Sequence, residues 1–127
     1  MIKSFGGCAF SLAVLLAPGV AAQDLTGPQK NAVRSAQNYL GFAGFSRDGL
    51  IDQLSSPYGD GYDVADATAA VDSLDVDWNA EAVEAANQYL EMTGFSCSGL
   101  IEQLSSDYGN KFTTGQATYA AKQAGAC

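Results

Sequence analysis

The chain repeats itself with a constant offset of 50 residues, and this repeat limits the possible folds more than any other feature. The segment 44–59 returns as 94–109, and in the longer alignment of 32–71 with 82–121, 20 of 40 positions are identical. A solenoid usually needs three or more repeats to bury its core. Two copies therefore predict a single small domain with two similar lobes.

Each copy has the periodicity of helices. In the first copy, apolar residues that recur every three or four positions form one face of a long helix: Ala32, Val33, Ala36, Tyr39, Leu40 and Ala43. Shorter stripes follow at Leu50, Ile51 and Leu54, and then at Val64, Ala67, Ala70, Val71 and Leu74. No stretch alternates as a strand does. We predict an all-α fold of two tandem three-helix, helix-turn-helix-like repeats packed as one small domain.

Polar and small residues mark the predicted helix ends. We expect Gly44 and Gly94 to end the long helices in the left-handed conformation. The expected N-caps are Ser46, Asp63, Asn79 and Ser96, with a capping box of Thr113 and Gln116 before a final helix whose buried face is Ala117, Ala120, Ala121 and Ala124. Trp78 is expected to pack against Val83 and the third helix of the first repeat, which would wedge the repeats together.

The N-terminus has the pattern of a secretory signal. Lys3 precedes an apolar run at 9–17, and Val20-Ala21-Ala22 offers small residues for cleavage after Ala22. An uncleaved anchor is the alternative. Gln23 stands where a lipoprotein would need cysteine, so we predict no lipid anchor. The predicted segments are a signal peptide at 1–22, a short, loosely ordered polar lead at 23–30, and repeats at 31–76 and 77–127. The product is exported, to the periplasm or the exterior.

The cysteines suggest one disulfide. Cleavage removes Cys8 and leaves Cys97 and Cys127, and an exported chain with two cysteines favours a bridge between them. The first repeat has Arg47 where the second has Cys97, so the bridge is no part of the repeat. Intermolecular pairing and free thiols are the alternatives.

Composition excludes several kinds of site. The chain has no histidine, and its formal net charge is −8. The third helix of the first repeat carries acidic residues and no base, so it lacks the charge that binds nucleic acid. Asp75, Asp77 and Asn79 resemble the start of a calcium loop, but Ala80 and Ala86 stand at its Gly and Glu positions. We therefore predict no metal, no cofactor, no catalytic residue and no nucleic-acid partner.

Polar and aromatic residues near the short helices are the candidate contact residues, because tyrosine favours protein contact surfaces. The candidates for partner binding are Gln53, Tyr58, Tyr62, Gln103, Tyr108 and Phe112. The competing interpretation is that such rings fill the core, and we favour it for Tyr39, Phe45, Tyr89 and Phe95.

The repeated motif Phe-Ser-x-x-Gly-Leu-Ile-x-Gln-Leu-Ser-Ser-x-Tyr-Gly, with Asp77-Trp78-Asn79 between its copies, resembles the Ltp-type "host cell surface-exposed lipoprotein" family over residues 29–124. The resemblance implies a cell-surface role. It also implies an association with superinfection exclusion, in which the protein engages a phage protein and blocks DNA injection. The chain departs from the family in lacking a lipoprotein cleavage site and in having the Cys97/Cys127 pair.

Two functions compete. The first is a non-enzymatic binding module that acts on a protein partner at the cell envelope. The second is an enzyme that acts on envelope glycan through surface carboxylates. A deep cleft with converging carboxylates would favour the enzyme.

Overall fold

The computed structural model describes residues 24–127, which form six helices. They are α1 (Gly27–Leu40), α2 (Arg47–Ser55), α3 (Val64–Asp72), α4 (Trp78–Met92), α5 (Cys97–Ser105) and α6 (Thr114–Gln123). No strand occurs in this part of the chain. The prediction of an all-α fold with two tandem three-helix repeats is confirmed. The predicted signal peptide, its cleavage site and Cys8 lie outside the described residues.

Each repeat has its own apolar core, built where its three helices meet. The first core is buried around Leu50, Leu54 and Val71, and the second around Leu100 and Leu104 with a series of alanines. The alanines of α6 lie at the predicted spacing, and Ala117, Ala120 and Ala121 are fully buried. These small side chains let α6 pack closely on α4 and α5, while Leu100, Leu104 and Phe112 supply the large side chains of the second core.

Trp78 connects the repeats at the start of α4. Although it is the first residue of the second repeat's long helix, its half-buried ring packs on the first repeat's core, which includes Ala67 and Val71 of α3. This position agrees with the predicted packing against α3, whereas Val83, the other predicted contact, packs on the core of the second repeat.

The predicted caps of the short helices are confirmed. Ser46 and Ser96 accept hydrogen bonds from the amides of Gly49 and Gly99, both at 2.9 Å. Thr113 and Gln116 form the predicted capping box. Asp63 occupies the N-cap position of α3, but its side chain makes no capping hydrogen bond.

The prediction that Asn79 caps α4 is wrong. Asp77 is the N-cap, and its carboxylate accepts from the amide of Ala80 at 3.1 Å. The helix therefore starts at Trp78. Similarly, α1 begins at Gly27, before the predicted boundary at 31. Thr26 and Gln29 form a second capping box there, so residues 27–30 of the predicted loose lead are instead the first turn of a helix.

The predicted left-handed glycine caps are wrong. Helix α1 ends at Leu40 with Gly41 as a right-handed cap, and α4 ends at Met92 with an extended Thr93. Among the described glycines, positive φ occurs at Gly61 and Gly125 and not at Gly44 or Gly94. The physical reason for Gly44 is close packing: a Cβ there would lie 2.4 Å from the carbonyl oxygen of Glu81.

Candidate partner-binding surface

The turn after each short helix holds one fully exposed tyrosine. Tyr58 and Tyr108 have 98% and 102% of their reference exposure, although the turns that carry them are tightly bonded. The amide of each tyrosine donates to the hydroxyl of the serine two residues earlier, at 3.0 Å in both repeats. The rings thus project from a fixed backbone, and neither contributes to a core.

A glycine makes these turns possible by close approach. A Cβ at Gly59 or Gly109 would lie 2.1 Å from the carbonyl oxygen of Gln53 or Gln103. The same carbonyls accept from the amides of Asp60 and Asn110, both at 3.2 Å. Hydrogen bonds to the short helix therefore fix the turn that carries the tyrosine. Because this turn is already ordered, less entropy is lost if a partner contacts the ring.

The two glutamines have a structural use that the sequence did not reveal. Gln53 donates to the hydroxyl of Tyr39 at 3.3 Å, and Tyr39 donates to the carboxylate of Asp60 at 2.9 Å. The hydrogen bond to Asp60, followed by burial, raises the pKa of Tyr39 above its ordinary value of 10.0. This relay ties the long helix to the tyrosine turn.

The second repeat contains the same relay with an amide at its end. Gln103 donates to Tyr89 at 3.1 Å, and Tyr89 donates to Asn110 at 2.7 Å. Tyr39 and Tyr89 also meet Phe45 and Phe95 edge to face, with ring centroids 5.6 Å apart in both repeats. This agrees with the core interpretation of these rings.

The remaining sequence candidates lie inside the repeats. The half-buried Tyr62 has its hydroxyl 3.1 Å from that of Ser35, and Phe112 is 2% exposed within the second core. A partner cannot reach Phe112 in the folded protein, so this residue leaves the candidate surface. Of the six candidates, Tyr58 and Tyr108 have rings free for contact. Whether they bind a partner stays a prediction.

A crevice of about 330 Å³ lies at the junction between the two repeats. On one side lies the loop between α1 and α2, and on the other lie α4 and the Gly109-Asn110 turn. Exposed Met92 lines it, and exposed Phe42 adjoins it in the chain. A second depression of about 300 Å³ shares Gly49 and Gly109 with the crevice and reaches Tyr58. Tyr58 thus borders the junction between the repeats.

Polar contacts close this junction. Gln88 accepts from the amide of Gly44 at 3.2 Å, and Glu81 accepts from the amide of Phe45 at 3.1 Å. The Ser46 hydroxyl donates to the carbonyl of Asn110. Burial raises the pKa of the Glu81 carboxyl above its ordinary value of 4.5, and the hydrogen bond from Phe45 acts in the opposite direction.

Lys111 adds an ion pair across the junction, to Asp52 of α2. The hydrogen bond to Asp52 raises the pKa of Lys111 above its ordinary value. Lys111 has a φ of 64°, the left-handed region that favours glycine, and its counterpart Gly61 has a φ of 73°. The left-handed conformation therefore costs about 1 kcal/mol at Lys111, a cost that is absent at its glycine counterpart.

The comparison with known proteins follows the repeat. The sequence model of the family described as "host cell surface-exposed lipoprotein" matches residues 28–74 and again residues 77–123. The chain belongs to this lipoprotein family. The two matches correspond to the two three-helix repeats, separated by Asp75 and Val76.

A solved structure supports membership in the lipoprotein family. The chain is similar to Ltp, a superinfection exclusion protein from the Streptococcus thermophilus temperate phage TP-J34, with 31% identity and a TM-score of 0.68. The similarity covers 77% of this chain and 96% of the other. Among curated proteins the comparison found no match.

Within residues 24–127, no helix is long and apolar enough to cross a membrane. In the same residues, no group of three or more acidic residues or cysteines is arranged to hold a metal ion. The family description refers to the host cell surface. The residues that would decide a leader or an anchor precede Asp24.

Proposed function

We propose that this protein is a non-enzymatic binding module of the cell envelope, which engages a protein partner and takes part in superinfection exclusion. The observation that carries the proposal is the pair of fully exposed tyrosines, Tyr58 and Tyr108, at equivalent positions on two fixed turns. The solved relative, a superinfection exclusion protein, supports the biological setting. We further propose that the partner is a phage component needed for DNA injection.

The physical argument is that nothing inside the repeats requires these rings. A fully exposed tyrosine offers a large area and a hydroxyl, and a fixed backbone lowers the entropy lost on binding. The same residue on the same turn in both repeats gives two contact points on one rigid chain. Binding at both points would raise the overall affinity above that of either alone.

The carboxylates support a binding role over an enzymatic one. Burial raises the pKa of the Glu81 carboxyl, which is the direction that favours a general acid. Its carboxylate, however, accepts the amide of Phe45 and holds the two repeats together. We therefore propose a structural role for Glu81 and no catalytic role for the protein.

The test uses a bacterial host that exports the protein and is challenged with a panel of phages. We expect phage adsorption to be unchanged and entry of phage DNA to fall at least tenfold for a sensitive phage. The double change Tyr58→Ala and Tyr108→Ala should restore DNA entry without changing the exported amount or the helical circular dichroism.

Tyr119→Ala is the matched control, because Tyr119 is also exposed, at 45%, but lies on α6 away from both turns. It should exclude phage as the parent does. If the double variant protects as well as the parent, the tyrosine turns are not the contact site. If the parent blocks no phage in the panel, the proposed role in exclusion is rejected.

A further inference from the structure

The first repeat uses a defined surface to bind the second repeat. We call this surface the acceptor face because it receives helix α4 of the other repeat. In the first repeat it consists of Gly44, Phe45, Ser46 and Gly49. It presents two backbone amides and one hydroxyl, which donate to Gln88, to Glu81 and to the carbonyl of Asn110. Gly44 lets the backbone of α4 approach so closely that a Cβ would lie 2.6 Å from the amide nitrogen of Ala85.

The second repeat has the same acceptor face at Gly94, Phe95, Ser96 and Gly99, and there it is empty. Within residues 24–127, nothing lies within 4 Å of a Cβ built at Gly94. In the same range, the amides of Gly94 and Phe95 donate no hydrogen bond. Ser96 is exposed, whereas Ser46 in the first repeat is 2% exposed.

The glycine at 94 has no use within the described chain. Its φ is not positive, so the backbone does not require glycine, and its surroundings leave room for a side chain. Glycine loses more conformational entropy on folding than any other residue. In the first repeat the equivalent glycine serves close contact with a helix, which indicates what Gly94 can do.

We propose that the acceptor face of the second repeat docks a helix of a protein partner, and that this helix has the chemistry of α4. The required helix presents a small residue at the contact, as Ala85 does. It has a carboxylate one turn before that residue and a long amide one turn after it, as Glu81 and Gln88 provide. These groups would accept from Phe95 and Gly94 as their counterparts do in the first repeat.

Charge complementarity adds one feature to the partner. In the first repeat, Asp52 beside the acceptor face pairs with Lys111 of the docked repeat. Glu102 stands at the equivalent position in the second repeat, exposed. A basic residue beside the partner's helix would therefore complete the contact.

A second copy of this chain is a poorer occupant than such a partner. Its α1 would present Asn31, Ser35 and Asn38 where α4 presents Glu81, Ala85 and Gln88. Asparagine is one methylene shorter than either residue it replaces, and Asn31 already accepts from Arg34 at 2.6 Å. Gly61 stands in place of Lys111, so the ion pair to Glu102 would also be lost.

The probe is a synthetic peptide with the sequence of residues 77–93, because these residues form the helix that fills the occupied face. An isolated helix of this length is marginally stable in water. We therefore include Asn87→Lys, whose amine forms a lactam with Glu91 on the exposed side. Its binding to ¹⁵N-labelled protein is followed by the amide chemical shifts of Gly94 and Phe95.

We expect saturable shifts at both amides, and at least tenfold weaker binding when the protein carries Gly94→Ala. A peptide with Ala85→Leu should be weakened to the same degree, because its larger side chain prevents close approach. Gly27→Ala is the matched protein control, since Gly27 also has nothing within 4 Å but lies at the start of α1. It should bind the peptide as the parent does.

The inference does not depend on the tyrosine turns, so Tyr108→Ala should also bind the peptide as the parent does. Absence of shifts at Gly94 and Phe95, or equal affinity for parent and Gly94→Ala, would overturn it and leave Gly94 as a remnant of duplication. Shifts of these amides with protein concentration alone would make a second copy the occupant and overturn the choice of a partner helix.

Discussion

The two repeats share their relays and turns but restrain their ends differently. In the first repeat, Arg47 at the start of α2 forms a bidentate pair with Asp72 at the end of α3, at 2.7 and 2.9 Å. In the second repeat, Cys97 stands at the equivalent place and bonds to Cys127 beyond α6. Both arrangements join the start of the short helix to the end of the third helix or the residues after it.

The difference shows which part of the fold needs external support. The third helix of the first repeat, α3, buries Ala67, Ala70 and Val71. Its counterpart α6 buries alanine at all three equivalent positions, Ala117, Ala120 and Ala121. Alanine buries less apolar area than valine or leucine, so it contributes less to the free energy of folding. The disulfide lies in the repeat whose third helix has Ala121 in place of Val71, and it offsets that smaller apolar burial.

Removing the disulfide should have the largest effect. We expect Cys97→Ser with Cys127→Ser to lower the free energy of unfolding by about 2–4 kcal/mol, because the bond closes a loop with a separation of 30 residues. Urea unfolding measures the change, and mass spectrometry of the exported parent protein should show no free thiol at Cys97 or Cys127. An unchanged urea midpoint would mean that the bond does not restrain the second repeat.

Alanine substitution of the glycine at each acceptor face should change the stability of the protein by different amounts. Gly44→Ala should cost about 1–3 kcal/mol, since the new Cβ would overlap the backbone of α4. Gly94→Ala should stay within about 0.5 kcal/mol of the parent, because its Cβ meets nothing in the described chain. Paired urea titrations measure both changes, and equal losses would contradict the different packing of the two faces.

The ion pair should stabilise the protein less than the disulfide or Gly44 does, and its contribution should depend on pH. The side chains of Arg47 and Asp72 are 43% and 48% exposed, so solvent screening limits Arg47→Ala to about 0.5–1 kcal/mol at pH 7. The hydrogen bond from Arg47 lowers the pKa of Asp72 below its ordinary value of 3.8. The contribution is therefore complete above pH 3.8 and is lost as the pH falls through the lowered value.

Stability measured from pH 7 downwards should show the parent and Arg47→Ala converging in acid.

Moving the ion pair to the second repeat tests whether the two repeats are equivalent at this position. Residues 97 and 122 lie 50 positions after 47 and 72, so Cys97→Arg with Lys122→Asp and Cys127→Ser rebuilds the ion pair there. It should recover about 0.5–1 kcal/mol of the loss caused by removing the disulfide. No recovery would show that the two ends are not geometrically equivalent.

Local patterns in the sequence were sufficient for the helices and for most of their starts. Ser46, Ser96 and the Thr113–Gln116 box cap helices within three residues of themselves, so the sequence contains both partners of each bond. Gly44 was misassigned because its contact is with Glu81 and Ala85, in another repeat. The hydrogen bonds of Gln53 and Gln103 could not be predicted for the same reason: the hydroxyls to which they donate lie 14 residues earlier, on a different helix.

The sequence by itself determined the duplication, the all-α class, the family and the pair of cysteines. The duplication and the all-α class follow from periodicity and short-range chemistry, the family follows from the resemblance of its repeated motif, and the cysteines are read directly from the chain. The tertiary structure alone decided that Tyr58 and Tyr108 are free while Phe112 is buried, and that one acceptor face is filled and its copy is empty. Two identical Gly-Phe-Ser segments differ there because only the first has a helix packed against it, and sequence identity does not encode a neighbour.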